Sequence, residues 1–185
     1  SEDNYLMKKR LAIYQAEERM DEFVKSLQEA IEKEPDNADL WVALGGTFQQ
    51  IANSYQEDDN DETNNEDPEQ YKEFSKKAES AYAKALELEP TNPDVNYNIG
   101  IIYYNEGVST LKAANELDDW KKAGEMEETA IEQFKVALPY FETACENSEC
   151  NDENLVSIMY DIYSRVKMTE KATEYRAKLE KIKGE

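Results

Sequence analysis

The chain has 185 residues, with 21 lysines and arginines against 42 aspartates and glutamates, for a formal net charge of -21. That balance excludes a nucleic-acid binder that works by neutralising phosphates, and it disfavours anionic membrane surfaces. The absence of histidine removes Ser/His/Asp and Cys/His catalysis, histidine zinc sites and histidine-ligated haem, while 39% hydrophobic residues and only 6 Gly and 5 Pro suit a largely helical chain.

No apolar stretch reaches the roughly 18 to 20 residues that span a bilayer, and no basic, apolar and small-residue leader opens the chain, so no transmembrane segment is expected. Cys145 and Cys150 are too few for a four-thiolate metal site or a disulfide scaffold.

Internal repeats organise the rest. Trp41, Leu44, Gly45 and Phe48 recur 55 residues later as Asn96, Ile99, Gly100 and Tyr103, and Met159 and Ile162 follow Gly100 and Tyr103 by 59. Leu11 and Tyr14 precede Gly45 and Phe48 by 34. A second set, Leu27, Tyr82 and Phe141 with Ala30, Ala85 and Ala144, is spaced by 55 and 59, and Tyr175 follows Phe141 by 34. The basic period is therefore 34, and the second and third units gain 21 and 25 residues between their own two helices. Each helix of those two units should be some ten residues longer, a protrusion of about 15 Å. As sequence neighbours, the two protrusions are expected to pack on each other.

After Asp67, a helix N-cap with Pro68 in the first turn and Gln70 placed to complete a capping box, a helix of about 20 residues is predicted. Its apolar face is Tyr71, Phe74, Ala78, Ala81, Ala85 and Leu88. Val95, Ile99, Ile102, Val108, Leu111, Ala114 and Leu117 draw the next face, and Trp120, Ala123, Met126, Ala130, Phe134, Ala137, Phe141 and Ala144 the one after. Gly107 and Pro139 interrupt these two patterns, with a kink expected near Pro139. Trp120, Tyr71 and Phe74 are read as packing residues rather than cofactor contacts.

Trp41, Leu44, Gly45 and Phe48, followed by Ala78, Tyr82 and Pro90, resemble the tetratricopeptide repeat, a 34-residue helix pair with this order of bulky and small residues. The resemblance implies an all-α fold, a right-handed superhelix of antiparallel helix pairs, two with elongated hairpins. It also implies one domain over 1–185, with units at about 4–37, 38–92, 93–150 and 151–183. Arg10, Lys178 and Glu149 depart from the repeat pattern, and all three fall in or beside units that end or cap the array. The stretch from Asn96 through Gly107 to Phe141 resembles a subgroup from Gram-negative anaerobes often exported to the envelope. That favours a periplasmic or envelope location over a cytoplasmic one.

The family places its ligand groove on the inner face of each unit's first helix. Here that face is Lys8 with Ala12 and Gln15, then Val42, Gly46 and Gln49, then Tyr97, Asn98, Ile101, Tyr104 and Asn105, then Val156, Tyr160 and Tyr163. Independently of the family, these sets run at i, i+4 and i+7 beside the packing stripe, so they should line one surface. Tyrosines there offer apolar area with a polar tip, suited to peptide or protein recognition. Packing against a neighbouring unit is the alternative role for the same rings. The expected function is a noncatalytic scaffold for a protein or peptide partner, with no cofactor. An acidic chain repels acidic tails, so a neutral, apolar or basic segment is the expected partner. A carboxylate clamp is not predicted, because Ala12, Gly46 and Ile101 stand where it would want Asn.

A second reading concerns the acidic tip of the second hairpin. Asp58, Asn60, Glu62 and Glu69 supply hard oxygens at steps reminiscent of a calcium loop, although Thr63 stands where that loop requires Gly. A solvated hairpin tip is the simpler account. Forty-two carboxylates make any chosen acid–base pair uninformative, and there is no Gly-rich phosphate loop or nucleophile elbow. Cys145 and Cys150 bracket a helix end: thiols in a reducing compartment, a closed small loop in an oxidising one. The envelope resemblance favours the bond.

Overall fold

The computed structural model describes residues 9–10, 13–14, 19–55, 67–147 and 150–184. Those residues contain seven full helices and no strand. They are α1 (Met20–Lys33), α2 (Ala38–Asn53), α3 (Pro68–Leu88), α4 (Pro93–Asn115), α5 (Trp120–Asn147), α6 (Glu153–Arg165) and α7 (Thr169–Lys183). The chain divides between Pro90 and Thr91 into two compact units. In the first, α2 packs on α3 and on α1; in the second, α4 packs on α5, α6 on α7, and α5 more lightly on α6.

Helix starts follow local chemistry. Asp67 accepts hydrogen bonds from the amides of Glu69 (3.1 Å) and Gln70 (3.0 Å), with Pro68 in the first turn where no amide hydrogen is missed. The second half of the expected capping box is replaced, since the Asp67 amide donates to the Tyr55 carbonyl at 3.2 Å and ties the base of the hairpin together. Asn92 caps α4 through the Val95 amide and Asp152 caps α6 through the Leu155 amide. α5 runs as one helix through Pro139 rather than ending there.

Small residues on first helices meet rings on second helices. A Cβ added to Gly45 would lie 2.5 Å from the Tyr82 ring, and one added to Gly100 would lie 2.7 Å from Phe141. Seven residues along α4, Gly107 repeats the arrangement against Phe134, with a Cβ contact of 2.6 Å. This corrects the face expected on α4. Gly107 belongs to the buried stripe with Gly100 and Ala114, while Val108 is 40% exposed. The antiparallel pair keeps a seven-residue register in which each ring needs a partner without a side chain. Phe134 and Phe141 are fully buried, each worth about 2 to 3 kcal/mol of transfer free energy.

Helix lengths bear out the elongation of the third pair. α4 and α5 have 23 and 28 residues, whereas α6 and α7 have 13 and 15. Trp120, placed by its spacing on a packing face, is instead 85% exposed at the first residue of α5, and the first half-buried residue of that helix is Ala123. Phe74 does pack, against Phe48 and Tyr55.

Candidate protein-binding face

α4 and α6 carry the first-helix residues of the second compact unit. On α4, Tyr97, Asn98, Ile101, Tyr104 and Asn105 are all half-buried. Their exposed flanks lie over a floor of rings: Tyr97 meets Phe141 edge-on at 6.0 Å between centroids, and Tyr104 meets Phe134 at 5.7 Å. On α6, Tyr160 is half-buried and packs against the core of this unit.

A polar cluster fixes Tyr104. Its hydroxyl donates to Asp161 Oδ2 at 3.1 Å, and Arg165 Nε donates to the same oxygen at 2.6 Å. The Arg165 guanidinium lies over the Phe134 ring at 5.5 Å, so cation, carboxylate and two rings close on each other. Burial, then the Asp161 charge, pushes the Tyr104 phenol above its ordinary pKa. Burial and the Asp152 carboxylate do the same at Tyr97. Sequence reasoning missed Asp161 and Arg165 as supports. Their i, i+4 spacing announces an ion pair, but only the side-by-side placement of α4 and α6 brings Tyr104 to it.

Two residues assigned to the open face belong to the core. Val156 and Tyr163 have no exposed surface. The Tyr163 ring is covered by Tyr175 of α7 at 5.1 Å, and its hydroxyl donates to Glu142 of α5 at 2.7 Å. Burial and that bond hold its phenol far above its ordinary pKa. The i, i+4 and i+7 spacing puts Tyr163 on the open face with Val156 and Tyr160, whereas only Tyr160 of the three retains exposed surface. It is silent about α5 and α7 closing over Tyr163.

In the first compact unit, Val42, Gly46 and Gln49 are half-buried along α2, and Gln49 Nε2 donates to Asn53 Oδ1 at 3.3 Å. Lys8, Ala12 and Gln15 lie outside the described residues, as do Asp58, Asn60, Glu62 and Thr63 of the acidic tip. Glu69 is exposed in the first turn of α3. Among the described residues no group of three or more His, Cys, Asp or Glu side chains is arranged to hold a metal. Hydrogen bonds from Arg19 and Lys178 hold the carboxyls of Glu22 and Glu174, respectively, below their ordinary pKa. Both shifts fit exposed ion pairs. No described helix is long and apolar enough to cross a membrane.

Residues 76–107 match a family model described as TPR repeat. The matched segment covers most of α3, the turn at Pro90 and the first part of α4, and so contains Ala78, Tyr82, Gly100 and Tyr103. Together with the all-helical architecture, the match supports a tetratricopeptide-repeat protein and, in general, the role of a protein-interaction scaffold. No curated protein matches the chain.

Proposed function

We propose that the chain is a noncatalytic scaffold of tetratricopeptide-like helix pairs that holds a protein or peptide segment along its first helices. One observation carries the reading: Tyr97, Ile101, Tyr104 and Tyr160 are partly open apolar side chains on first helices, seated on the buried rings or core behind them. A preorganised aromatic surface loses little side-chain entropy on binding, which favours its use as an anchor. Asn98 and Asn105 on α4 would extend the face, Val42 and Gln49 hold the corresponding positions on α2 of the first unit, and with Val156 and Tyr163 in the core the anchors narrow to the four above.

The bonded Cys145–Cys150 pair supports an oxidising compartment, in line with the resemblance to exported bacterial repeat proteins. The net charge of -21 favours a partner segment that is neutral or basic.

The test uses affinity capture from the source cell with the wild-type chain and a Tyr97→Ala/Tyr160→Ala variant side by side. These two side chains are chosen because neither makes the Tyr104–Asp161 bond. A polypeptide held by the wild type and lost by the variant, with unchanged circular dichroism, supports the reading. Equal capture by both overturns it.

A further inference from the structure

The corner between α5 and α6 holds the chain's two cysteines, joined in a disulfide over five positions of sequence. Cys145 sits in the last turns of α5 and is 5% exposed. Cys150 is half-buried and holds a φ of 51°, in the left-handed region that non-glycine residues seldom adopt. The bond thus joins the last turns of α5 to the residue two positions before the Asp152 cap of α6, and Cys150 is the more open of the two residues.

What the bond touches extends its influence to the last helix pair. Cys145 Sγ lies 3.6 Å from the Tyr175 hydroxyl on α7. Tyr175 packs on Tyr163 of α6, and Tyr163 donates to Glu142, three residues before Cys145 on α5. These contacts form a closed circuit from α5 to α7 to α6 and back. Because α5 meets α6 less extensively than α4 meets α5, the circuit adds to the apolar packing of Leu155, Val156, Met159 and Ile162 in seating the last pair. Two open clefts, of 350 and 380 Å³, both have Cys150 in their walls. The first cleft is also lined by Cys145, Glu142, Glu146, Lys171, Glu174 and Lys178, with both lysines paired to Glu174, and the second by Lys178 and Lys181.

We propose that Cys145–Cys150 is a thiol–disulfide exchange site whose redox state sets how firmly α6 and α7 sit on α5, with a dithiol as the exchanging substrate. The thiolate of the dithiol attacks Cys150 Sγ, the sulfur–sulfur bond breaks, and Cys145 leaves as a thiolate and takes a proton. The second thiol of the reductant then attacks the mixed disulfide, releasing Cys150 as a thiol. The protein gains two electrons and two protons, and the dithiol becomes a cyclic disulfide. Once reduced, Cys150 is released from Cys145, and α6 and α7 are held to α5 by packing and by the Cys145–Tyr175–Tyr163–Glu142 contacts alone. α6 also carries Tyr160 and Asp161, so its loosening alters part of the candidate face.

The experiment compares hydrogen exchange of the oxidised chain, the chain reduced by dithiothreitol without denaturant, and a Cys145→Ser/Cys150→Ser variant. Amides of α6 and α7 are expected to exchange at least about tenfold faster after reduction while those of α2 and α3 keep their rates. The serine variant is expected to match the reduced chain and to ignore dithiothreitol. A disulfide that resists dithiothreitol until the chain unfolds, or unchanged exchange in α6 and α7 after reduction, overturns the proposal. If the variant does not fold, the oxidised and reduced wild-type chains decide alone. No partner enters either readout, so a failed binding face leaves this result standing.

Discussion

Glycine at 100 and 107 and glycine at 124 occupy opposite situations in the same helix pair. At Gly100 a methyl group would press into the Phe141 ring, and at Gly107 into Phe134, whereas at Gly124 nothing lies within 4 Å. Overpacking costs about 1 to 3 kcal/mol, against which alanine's helix propensity returns about 1 kcal/mol. Gly100→Ala is therefore expected to lower the urea midpoint and Gly124→Ala to raise it, the latter through a stability gain of about 0.5 to 1 kcal/mol. Equal shifts of both would contradict the close approach. The tyrosines give a second expectation. Tyr97, Tyr104, Tyr163 and Tyr175 all have phenols raised by burial, so the folded chain keeps protons that the unfolded chain releases near pH 10. Their contribution is complete below that pH and is lost as pH rises above it. Urea titrations between about pH 8 and 11 should show stability falling at the alkaline end, with a shallower fall in Tyr163→Phe.

Each helix was legible from its own stretch of sequence to the extent that its signals are local. The 21-residue α3 begins at the cap and proline that mark it and ends two residues before Pro90. Removing the Asp67 cap by Asp67→Ala should cost about 1 kcal/mol, read as a lower thermal midpoint. Pro139 tests the reverse. It is an exposed interior residue of α5 that supplies no amide hydrogen, and the helix continues past it. Pro139→Ala should stabilise by about 1 to 3 kcal/mol, and a destabilised variant would mean that packing of α5 depends on the ring. The faces were less legible than the ends. Val108 and Gly107 differ by a single step, and a pattern that counts only apolar side chains cannot see a glycine that is buried because a ring lies on it.

Charge acts over the entire chain. A net charge of -21 in 185 residues means that compaction works against self-repulsion, which mobile ions reduce. The ion pairs of the described residues lie mostly at i, i+3 or i+4 within one helix and are exposed, so salt weakens little that holds helices together. Raising sodium chloride to about 0.5 M should therefore raise the melting temperature; a lower one would assign the exposed pairs a larger share of stability.

The all-helical fold and the recurrence of Gly45 at Gly100 and of Tyr82 at Phe141 were legible in the chain itself, whereas the seating of those rings on those glycines was decided by packing. Caps, periodicity and residue size act through neighbours a few positions away or through a recurring register. Only the packed structure decided that Tyr163 and Val156 are enclosed, that Trp120 stands in solvent, and that Tyr104 rests on Asp161. Each of those outcomes depends on where a different helix stops and which side chains it brings, and no spacing within one helix contains that information.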